Sequence, residues 1–236
     1  MAQAGRSVEG VRKLDAIVLA VPPVITTGLL GGSFNPAHRG HRRISMYVLQ
    51  ALQLDEMWWL VSPGNPLKPR IGMAPLAVRY RSAWKVARGL PIRPTAIERE
   101  LGSPYTVDTL RALIRRYPKH RFVWVMGADN LVQFHKWRHW REIARLVPIA
   151  VVARPGYAGP ARAARAMGWL RRFVRPAATS GNWTKWSPPA LVFLTLPLDP
   201  TSATGIRADN PHWHDLPVYA FQTKALRDGV TRKAVT

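Results

Sequence analysis

Six short apolar runs are spaced along the chain, and the segments between them carry helical patterns. The runs are rich in β-branched and aromatic residues, which favours buried strands. They cover residues 24–30, 56–61, 92–96, 121–126, 148–153 and 191–196. Between them, apolar residues recur every three or four positions, which predicts helices over residues 38–52, 76–87, 106–116, 130–134 and 140–146.

Near-continuous apolar strands that alternate with helices are typical of an α/β protein with a doubly wound, mostly parallel, Rossmann-like sheet. Ligands of such sheets bind beyond the carboxyl ends of the strands. Three loops follow strand ends in this chain: residues 31–41 (GGSFNPAHRGH), a Pro/Gly-rich loop at 62–72, and residues 127–129. The pattern therefore predicts that the functional site lies at these loops.

The composition fits one domain with a sizeable core, because 47% of the 236 residues are hydrophobic. We predict a single domain over residues 23–236 and a loosely ordered extension over residues 1–22. The apolar run at 16–21 is too short to cross a bilayer, so we expect no membrane partner. The chain has no cysteine, which excludes disulfides, cysteine-bound zinc, iron–sulfur clusters and a thiol nucleophile, and fits a cytoplasmic protein.

The net charge is +22, from 35 basic and 13 acidic residues, and no acidic residue occurs between positions 143 and 198. A field of this sign attracts phosphates, whether on small nucleotides or on RNA and DNA. Charge alone does not choose between them, so a basic nucleic-acid-binding protein stays an alternative, although we expect no specific nucleic-acid partner. The spacing of basic and apolar residues over 162–175 predicts a basic helix whose Ala, Met, Leu and Phe positions pack inward.

The segment at 31–41 suits a polyphosphate. Gly31 and Gly32 predict a flexible turn after a strand, and the backbone N–H groups of such a turn point at one spot together with the positive end of the next helix. His38 and His41 lie three positions apart at the start of that helix, so their side chains should face the same way.

A second group of phosphate-binding residue types follows the last strand, at residues 201–207 (TSATGIR). Ser202 and Thr204 offer hydroxyls at a helix start, and Arg207 offers a guanidinium fork that can hold two phosphate oxygens. By itself this pattern also fits a simple helix cap.

Taken together, HxGH after GGSFxP and the later SxTxIR resemble the two signatures of the nucleotidylyltransferase superfamily. Its members join a phosphate-bearing substrate to the α-phosphate of a nucleoside triphosphate. The resemblance implies that His38, His41 and Arg207 are catalytic and contact the triphosphate. The implied ATP-binding residues are Gly31, Gly32, Ser33, Phe34, His38, His41, Gly127, Asp129, Ser202, Thr204 and Arg207.

Four further stretches resemble those of bacterial nicotinate-nucleotide adenylyltransferases: residues 63–70 (PGNPLKPR), 97–110 (IERELGSPYTVDTL), 124–137 (WVMGADNLVQFHKW) and 153–157 (ARPGY). With both end motifs, the resemblance runs from residue 28 to residue 209. It implies transfer of AMP from ATP to nicotinate mononucleotide in NAD biosynthesis, with Mg²⁺ delivered by ATP and no metal site on the protein. The implied mononucleotide-binding residues are Asn65, Lys68, Tyr105, Thr106 and Trp137, the last stacking on the pyridine ring.

Two positions depart from the family pattern. Asn35 stands where many members have Asp, so we assign it a turn and hydrogen-bonding role outside catalysis. Gly205 lies inside SxTxIR, where it should loosen the helix start by less than about 1 kcal/mol. Phosphopantetheine and nicotinamide mononucleotide stay open as alternative acceptors, and the sequence does not decide whether the chain forms a homo-oligomer.

Overall fold

The computed structural model describes residues 24–64, 72–153, 158–196, 201–215 and 226–235. Within these ranges one sheet contains β1 (Ile25–Gly32), β2 (Glu56–Val61), β3 (Ile92–Thr95), β4 (His120–Gly127), β5 (Ile149–Ala153), β6 (Val174–Arg175) and β7 (Leu191–Thr195). All neighbouring strands run parallel, in the order β3-β2-β1-β4-β5-β7-β6. The predicted doubly wound parallel sheet is therefore confirmed.

The strand order reverses at β1. The chain leaves β1 toward one edge through β2 and β3, and then returns to the other side of β1 with β4. Gly32 pairs with Val61 of β2, and Leu30 pairs with Val125 of β4. Connections diverge in opposite directions from such a point and leave a crevice beyond the strand ends, where ligands of this fold class bind.

Helices cover both faces of the sheet. Their bounds are α1 (Arg39–Ala51), α2 (Leu76–Ala87), α3 (Ile97–Leu101), α4 (Thr106–Arg116), α5 (Ala128–Gln133), α6 (Trp140–Leu146), α7 (Ala158–Arg162), α8 (Met167–Leu170) and α9 (Ala203–Asp209). Short 3-10 helices span Phe134–Lys136, Arg171–Phe173, Ala177–Lys185 and Trp213–Asp215. Among the helices in the described ranges, none has both the length and the hydropathy that a bilayer crossing requires.

Strand β2 is buried on both of its faces. All six of its residues are buried. Trp58 packs in one core cluster with Leu110 of α4, whereas Trp59 packs in a second cluster with Val48 of α1. Successive side chains of a strand point to opposite faces, and here both faces are covered by helices. Apolar residues therefore fill the five positions after Glu56, whose buried carboxylate pairs with Arg93 at 2.6 Å.

The six predicted strands and the five helices predicted over residues 38–146 all occur, with ends that differ by at most two residues. The short α3 and the two-residue β6 were not predicted. Residues 226–235 also add to the edge of the sheet at β3. There the Gly229 N–H donates to the Pro94 carbonyl at 3.1 Å, and the buried Asp228 carboxylate accepts the Ala96 N–H at 2.7 Å. This segment covers backbone groups at the edge of the sheet.

The predicted glycine turn is wrong in its position. Gly31 and Gly32 are the last two residues of β1 and pair with the end of β2. A Cβ at Gly31 would lie 2.8 Å from Cη2 of Trp124, so close packing rather than turn flexibility explains this glycine. The turn itself begins at Ser33, and it is Phe34 that adopts a positive φ, of 47°.

The predicted basic helix over residues 162–175 is also wrong, because the stretch contains the end of α7, α8, a 3-10 turn and β6. The N–H groups of Ala164 and Met167 bond to carbonyls only three residues back, which tightens the chain into turns. Gly168, a poor helix former, lies in the middle. Ala164, Ala166, Met167 and Leu170 are buried as predicted, whereas Ala163 is exposed and Phe173 is half-buried.

Candidate active site

Two imidazole rings meet at the start of α1. His38 is the N-cap residue, His41 lies on the first turn, and their ring centroids are 3.9 Å apart, as their spacing predicts. Nδ1 of His38 accepts the Gly40 N–H at 3.1 Å, and Nδ1 of His41 accepts the His38 N–H at 3.2 Å. An accepting Nδ1 carries no proton, so each neutral ring holds its proton on Nε2, which is a donor.

The turn between β1 and α1 is held in place from the side of α2. Arg79 of α2 donates to the Ser33 carbonyl at 2.7 Å. The Asn35 side chain donates to the Gly72 carbonyl at 2.9 Å and accepts the Ala74 N–H at 3.1 Å. Asn35 thus has the turn and hydrogen-bonding role expected of its amide. A turn fastened in this way holds its own amides in position before any ligand arrives.

Phe34 supports the histidine pair from behind. Its ring is 1% exposed, stacks on Trp59 at a centroid distance of 5.0 Å, and lies 4.8 Å from the ring of His41. A left-handed conformation costs a non-glycine residue on the order of 1 kcal/mol, and the surrounding packing must offset that cost. Because the side chain is buried, only the backbone of Phe34 can face a ligand.

The two end motifs are in direct contact. Nη1 of Arg207 donates to the Asn35 carbonyl at 2.6 Å, although the residues are 172 positions apart in the sequence. A second bond joins the same two motifs: Nε of Arg39, next to His38, donates to the hydroxyl of Thr201, next to Ser202, at 2.8 Å. The guanidinium of Arg207 is therefore fixed against the turn that precedes His38. The structure brings the imidazoles and this guanidinium to one crevice.

The hydroxyls of the second motif also have local roles. Ser202 is the N-cap of α9, and its Oγ accepts the Gly205 N–H at 3.0 Å. The hydroxyl proton of Ser202 can still be donated to a ligand, because this bond uses only a lone pair. Thr204 is exposed, and its hydroxyl accepts from Nη2 of Arg207 at 3.3 Å. The helix cap and the phosphate-binding pattern thus coexist in the same residues.

Beyond β4, the glycine and the carboxylate of the GxD segment lie against each other. Gly127 ends β4 and is the N-cap of α5, and Asp129 is exposed on the first turn of α5. A Cβ at Gly127 would collide with the Asp129 carboxylate, so the glycine allows that side chain to fold back over the strand end. This places an exposed carboxylate at the edge of the crevice.

The residues predicted to bind a mononucleotide lie on two neighbouring segments. Tyr105 is the N-cap of α4, and Thr106 is its first residue; both are half-buried. The guanidinium of Arg138 lies 4.7 Å from the centre of the Tyr105 ring, which connects this helix start to the segment that carries Trp137. The Trp137 ring is half-buried and packs edge-on against Trp124 at 6.1 Å. Because Trp124 also lies against Gly31, Trp137 lies near the carboxyl end of β1, in the core cluster on the face of the sheet opposite α1.

Part of the predicted site lies outside the described residues. Asn65 and Lys68 belong to residues 65–71, and most of the ARPGY stretch belongs to residues 154–157. The predicted extension over residues 1–22 falls outside the described ranges as well. These assignments stay predictions.

Two buried ionisable residues near the site were not predicted from the sequence. Arg79 is 1% exposed, and burial lowers its pKa to about 10, so it stays protonated at neutral pH. Glu98 is 7% exposed, and burial raises its pKa to about 7 against the opposing effect of hydrogen bonds from Thr109 and Ser62. In the sequence, the burial of Arg79 is indicated only by its place among apolar residues in a helical pattern. That helix contains no acidic residue that could pair with it.

Within the described part of the chain, no three His, Asp or Glu side chains are placed to hold a metal ion together. The donors gathered in the crevice are imidazole and guanidinium N–H groups, which suit anions rather than cations. Donors of this kind can hydrogen-bond to phosphate oxygens.

Comparison with known proteins gives the same picture. The cytidylyltransferase-like family matches residues 29–209. The probable nicotinate-nucleotide adenylyltransferase of Erythrobacter litoralis (strain HTCC2594) is 57% identical over 211 residues, which cover 89% of this chain and 94% of the relative. The corresponding protein of Parvibaculum lavamentivorans is 50% identical over 185 residues, which cover 78% and 92%.

Solved structures share the fold at lower identity. Plasmodium falciparum nicotinic acid mononucleotide adenylyltransferase complexed with APC superimposes with a TM-score of 0.58 at 14% identity, covering 78% of this chain and 83% of that one. This likeness concerns the arrangement of strands and helices, whereas the identity to the bacterial relatives extends over most of both chains. The chain belongs to the nicotinate-nucleotide adenylyltransferase family of cytidylyltransferase-like nucleotidyltransferases.

Proposed function

We propose that this chain transfers the AMP group of ATP to nicotinate mononucleotide, giving nicotinate adenine dinucleotide and pyrophosphate. The observation that carries the proposal is the contact between the two end motifs, in which Arg207 is bonded to the turn that leads into His38 and His41. The names of the bacterial relatives, which are similar over most of the chain, support the choice of acceptor.

The reaction is a direct in-line displacement. A phosphate oxygen of the mononucleotide forms a bond to the α-phosphorus of ATP, and the bond from that phosphorus to the oxygen of the pyrophosphate group breaks. The attacking phosphate is already an anion, so no strong base and no covalent enzyme intermediate are needed. The work of the protein is to align two anionic substrates and to stabilise charge on the pentacoordinate phosphorus.

His38, His41 and Arg207 supply this stabilisation. Each imidazole uses Nδ1 for the helix cap, so the N–H donor of the neutral ring is on Nε2. The positive end of α1 adds to the attraction for phosphate oxygens. The guanidinium of Arg207 carries a full charge and binds the polyphosphate from the side of α9. The remaining ATP contacts are assigned to Gly31, Gly32, Ser33, the Phe34 backbone, Gly127, Asp129, Ser202 and Thr204.

The mononucleotide occupies the adjoining side of the crevice. Trp137 offers a flat π-face for the pyridine ring, and Tyr105 and Thr106 line the site at the start of α4. Asn65 and Lys68, on the loop after β2, complete the binding set. Mg²⁺ arrives with the phosphates of ATP and neutralises part of their charge. We expect the reaction to take place in the cytoplasm, where ATP is supplied.

The test is to incubate the purified chain with ATP, Mg²⁺ and one of three acceptors: nicotinate mononucleotide, nicotinamide mononucleotide or phosphopantetheine. We expect pyrophosphate and a dinucleotide to form fastest with the nicotinate compound. Faster turnover of either other acceptor would reassign the substrate. No pyrophosphate with any acceptor, together with salt-sensitive RNA binding that millimolar ATP does not displace, would instead favour the nucleic-acid-binding alternative.

A further inference from the structure

Three aromatic rings that are assigned to neither substrate form a continuous cluster. The Trp140 ring, at the start of α6, packs edge-on against the Trp169 ring of α8 at a centroid distance of 5.5 Å. The Trp169 ring in turn lies 5.0 Å from the ring of Phe173, in the 3-10 helix that follows α8. All three residues are half-buried, so each stays partly accessible to solvent. Packing between separate segments holds the rings in fixed positions.

Three exposed arginines lie over these rings. The guanidinium of Arg141 is 4.8 Å from the centre of the Trp140 ring and 6.0 Å from that of Trp169, and the guanidinium of Arg145 is 5.3 Å from the Trp169 ring. A third, Arg172, lies 6.0 Å from the ring of the residue that follows it. A ring face attracts the cation and limits its motion, while the N–H groups in the guanidinium plane can still donate to an anion. The arginine–aromatic patch consists of these six residues: Trp140, Arg141, Arg145, Trp169, Arg172 and Phe173.

The charge in this part of the chain is positive and barely compensated. Nine arginines and no lysine occur from position 138 to position 175. Glu142 is the one acidic residue of α6, and it forms an ion pair with Arg111 of α4 at 2.6 Å. The next acidic residue in the sequence is Asp199. The patch therefore presents its guanidinium groups to a polyanion.

Single-stranded RNA matches this combination of groups better than the other polyanions of a cell. Guanidinium groups bind phosphate oxygens, and unstacked bases can pack on the accessible parts of aromatic rings. A duplex keeps its bases stacked inside, so it can use only the arginines, and RNA exposes single-stranded segments without strand separation. An acidic peptide would likewise leave the rings unused. A membrane surface is disfavoured, because none of the large apolar side chains that are exposed in the described ranges belongs to the patch.

We propose that the arginine–aromatic patch binds single-stranded RNA, as a second function of this chain. Contacts to phosphates and to the faces of bases carry little sequence information, so the binding has no strong preference for base sequence. The six residues are all different from those assigned to ATP and to the mononucleotide. RNA binding and dinucleotide formation are therefore separable by mutation.

The test is to titrate a fluorescently labelled single-stranded RNA of mixed sequence, about 12 nucleotides long, with the full chain and to follow its anisotropy at several salt concentrations. We expect it to bind about tenfold or more tightly than a duplex of the same length, although the duplex has the higher charge density. The triple variant Arg141→Ser, Arg145→Ser, Arg172→Ser should bind about tenfold or more weakly. Its slope of log affinity against log salt should be smaller by about 2, since each phosphate contact contributes about 0.7 for a single strand.

A second triple variant, Arg88→Ser, Lys119→Ser, Arg121→Ser, is the matched control. It removes the same charge from exposed positions elsewhere, and the guanidinium of Arg88 also lies over a tryptophan ring, 6.0 Å from the centre of Trp84. This control should keep its affinity for RNA within about threefold and its salt slope unchanged, because distant surface charges are screened.

Substitutions of Trp169 test the contribution of the rings. Trp169→Leu removes the flat π-face and should weaken RNA binding about fivefold or more, whereas Trp169→Phe keeps such a face and should stay within about twofold of the wild type. Circular dichroism verifies the fold of each variant. If Trp169→Leu fails to fold, the pair Phe173→Leu and Phe173→Tyr makes the same comparison.

Four results would overturn the proposal: equal or tighter binding of the duplex, equal losses in the two triple variants, wild-type affinity in the leucine variants, or displacement of the RNA by millimolar ATP. Tighter binding of phosphatidylglycerol vesicles or of polyglutamate than of RNA would do the same and would reassign the partner. Dinucleotide formation is measured in parallel, and the arginine triple variant should keep its kcat. A chain that binds RNA as described but forms no dinucleotide would refute the proposed function alone.

Discussion

The protonation of Glu98 makes a quantitative prediction about stability. Burial raises the pKa of this carboxyl group from an ordinary value of 4.5 to about 7. The folded state therefore holds a proton that the unfolded state releases. The stabilisation from this proton is fully present below about pH 4.5 and is lost as the pH rises through about 7. Each tenfold change in proton affinity corresponds to about 1.4 kcal/mol, so the loss amounts to about 3 kcal/mol.

Glu98→Gln replaces the carboxyl group by a neutral group of the same shape and removes this titration. Near pH 5 the variant and the wild type should have similar free energies of unfolding, because the wild-type group is then protonated in the folded state. Toward pH 9 the variant should become the more stable protein, by up to about 3 kcal/mol. Urea unfolding of both proteins across this pH range measures the difference between their free energies of unfolding. The contributions of all other titrating groups cancel in this difference.

Glu100→Gln is the control with the opposite sign. Burial tends to raise the pKa of Glu100, but the hydrogen bond and charge of Lys233, whose Nζ lies 2.7 Å from the carboxylate, outweigh it and lower the pKa. This carboxylate stabilises the fold above its unfolded pKa, so Glu100→Gln should be destabilising by a constant amount from pH 5 to pH 9. A Glu98→Gln difference that is equally flat would refute the reasoning, since it would mean that Glu98 stays ionised in the folded protein.

Three further predictions concern the crevice. His41→Ala should lower kcat by about 100- to 1000-fold with the fold retained by circular dichroism, while His212→Ala, at an exposed site, should not change it; a near-normal rate in the folded His41 variant would exclude the assigned role. Arg207→Lys keeps the charge but loses the fork, so kcat/KM for ATP should fall about tenfold or more, and an unchanged value would mean that charge alone suffices. Gly31→Ala places a Cβ 2.8 Å from Cη2 of Trp124, which should lower the free energy of unfolding by about 1 to 3 kcal/mol in urea titrations, and a stability equal to that of the wild type would contradict the close packing described for this strand end.

Local patterns predicted the elements of the fold well. In α4, Val107, Leu110 and Leu113 repeat at helical spacing, and all three are buried in one core cluster. The pattern succeeds because a helix on a sheet buries one stripe, and the spacing of that stripe is a property of the segment itself. The same holds for the position of the motifs, since the carboxyl ends of parallel strands lie at one edge whatever the details of packing.

The parts of the site that escaped prediction depend on contacts between distant residues. The Gly31 position looked like a turn because glycine is common in turns, yet the neighbour that demands a glycine, Trp124, is 93 positions away. Arg79 and Glu98 lie in short helical segments whose local patterns do not distinguish them, and what sets both apart is their burial. Burial of a charged side chain is decided by tertiary packing, so no local pattern in one sequence reveals it.

The proposed phosphate site is better understood as a rigid structure than as a flexible loop. Transfer between two anions requires donors that are in place before the charges arrive, because reorganising them during the reaction would raise the barrier. Here the turn carbonyls are bound by Arg79 and Arg207, and each histidine spends one ring nitrogen on the backbone. These bonds fix the direction of Nε2 in each ring. The turn before the histidines includes Phe34 in a left-handed conformation, which the surrounding packing must stabilise. The large positive charge then acts mainly on encounter, since long-range attraction speeds the arrival of ATP but does not align it.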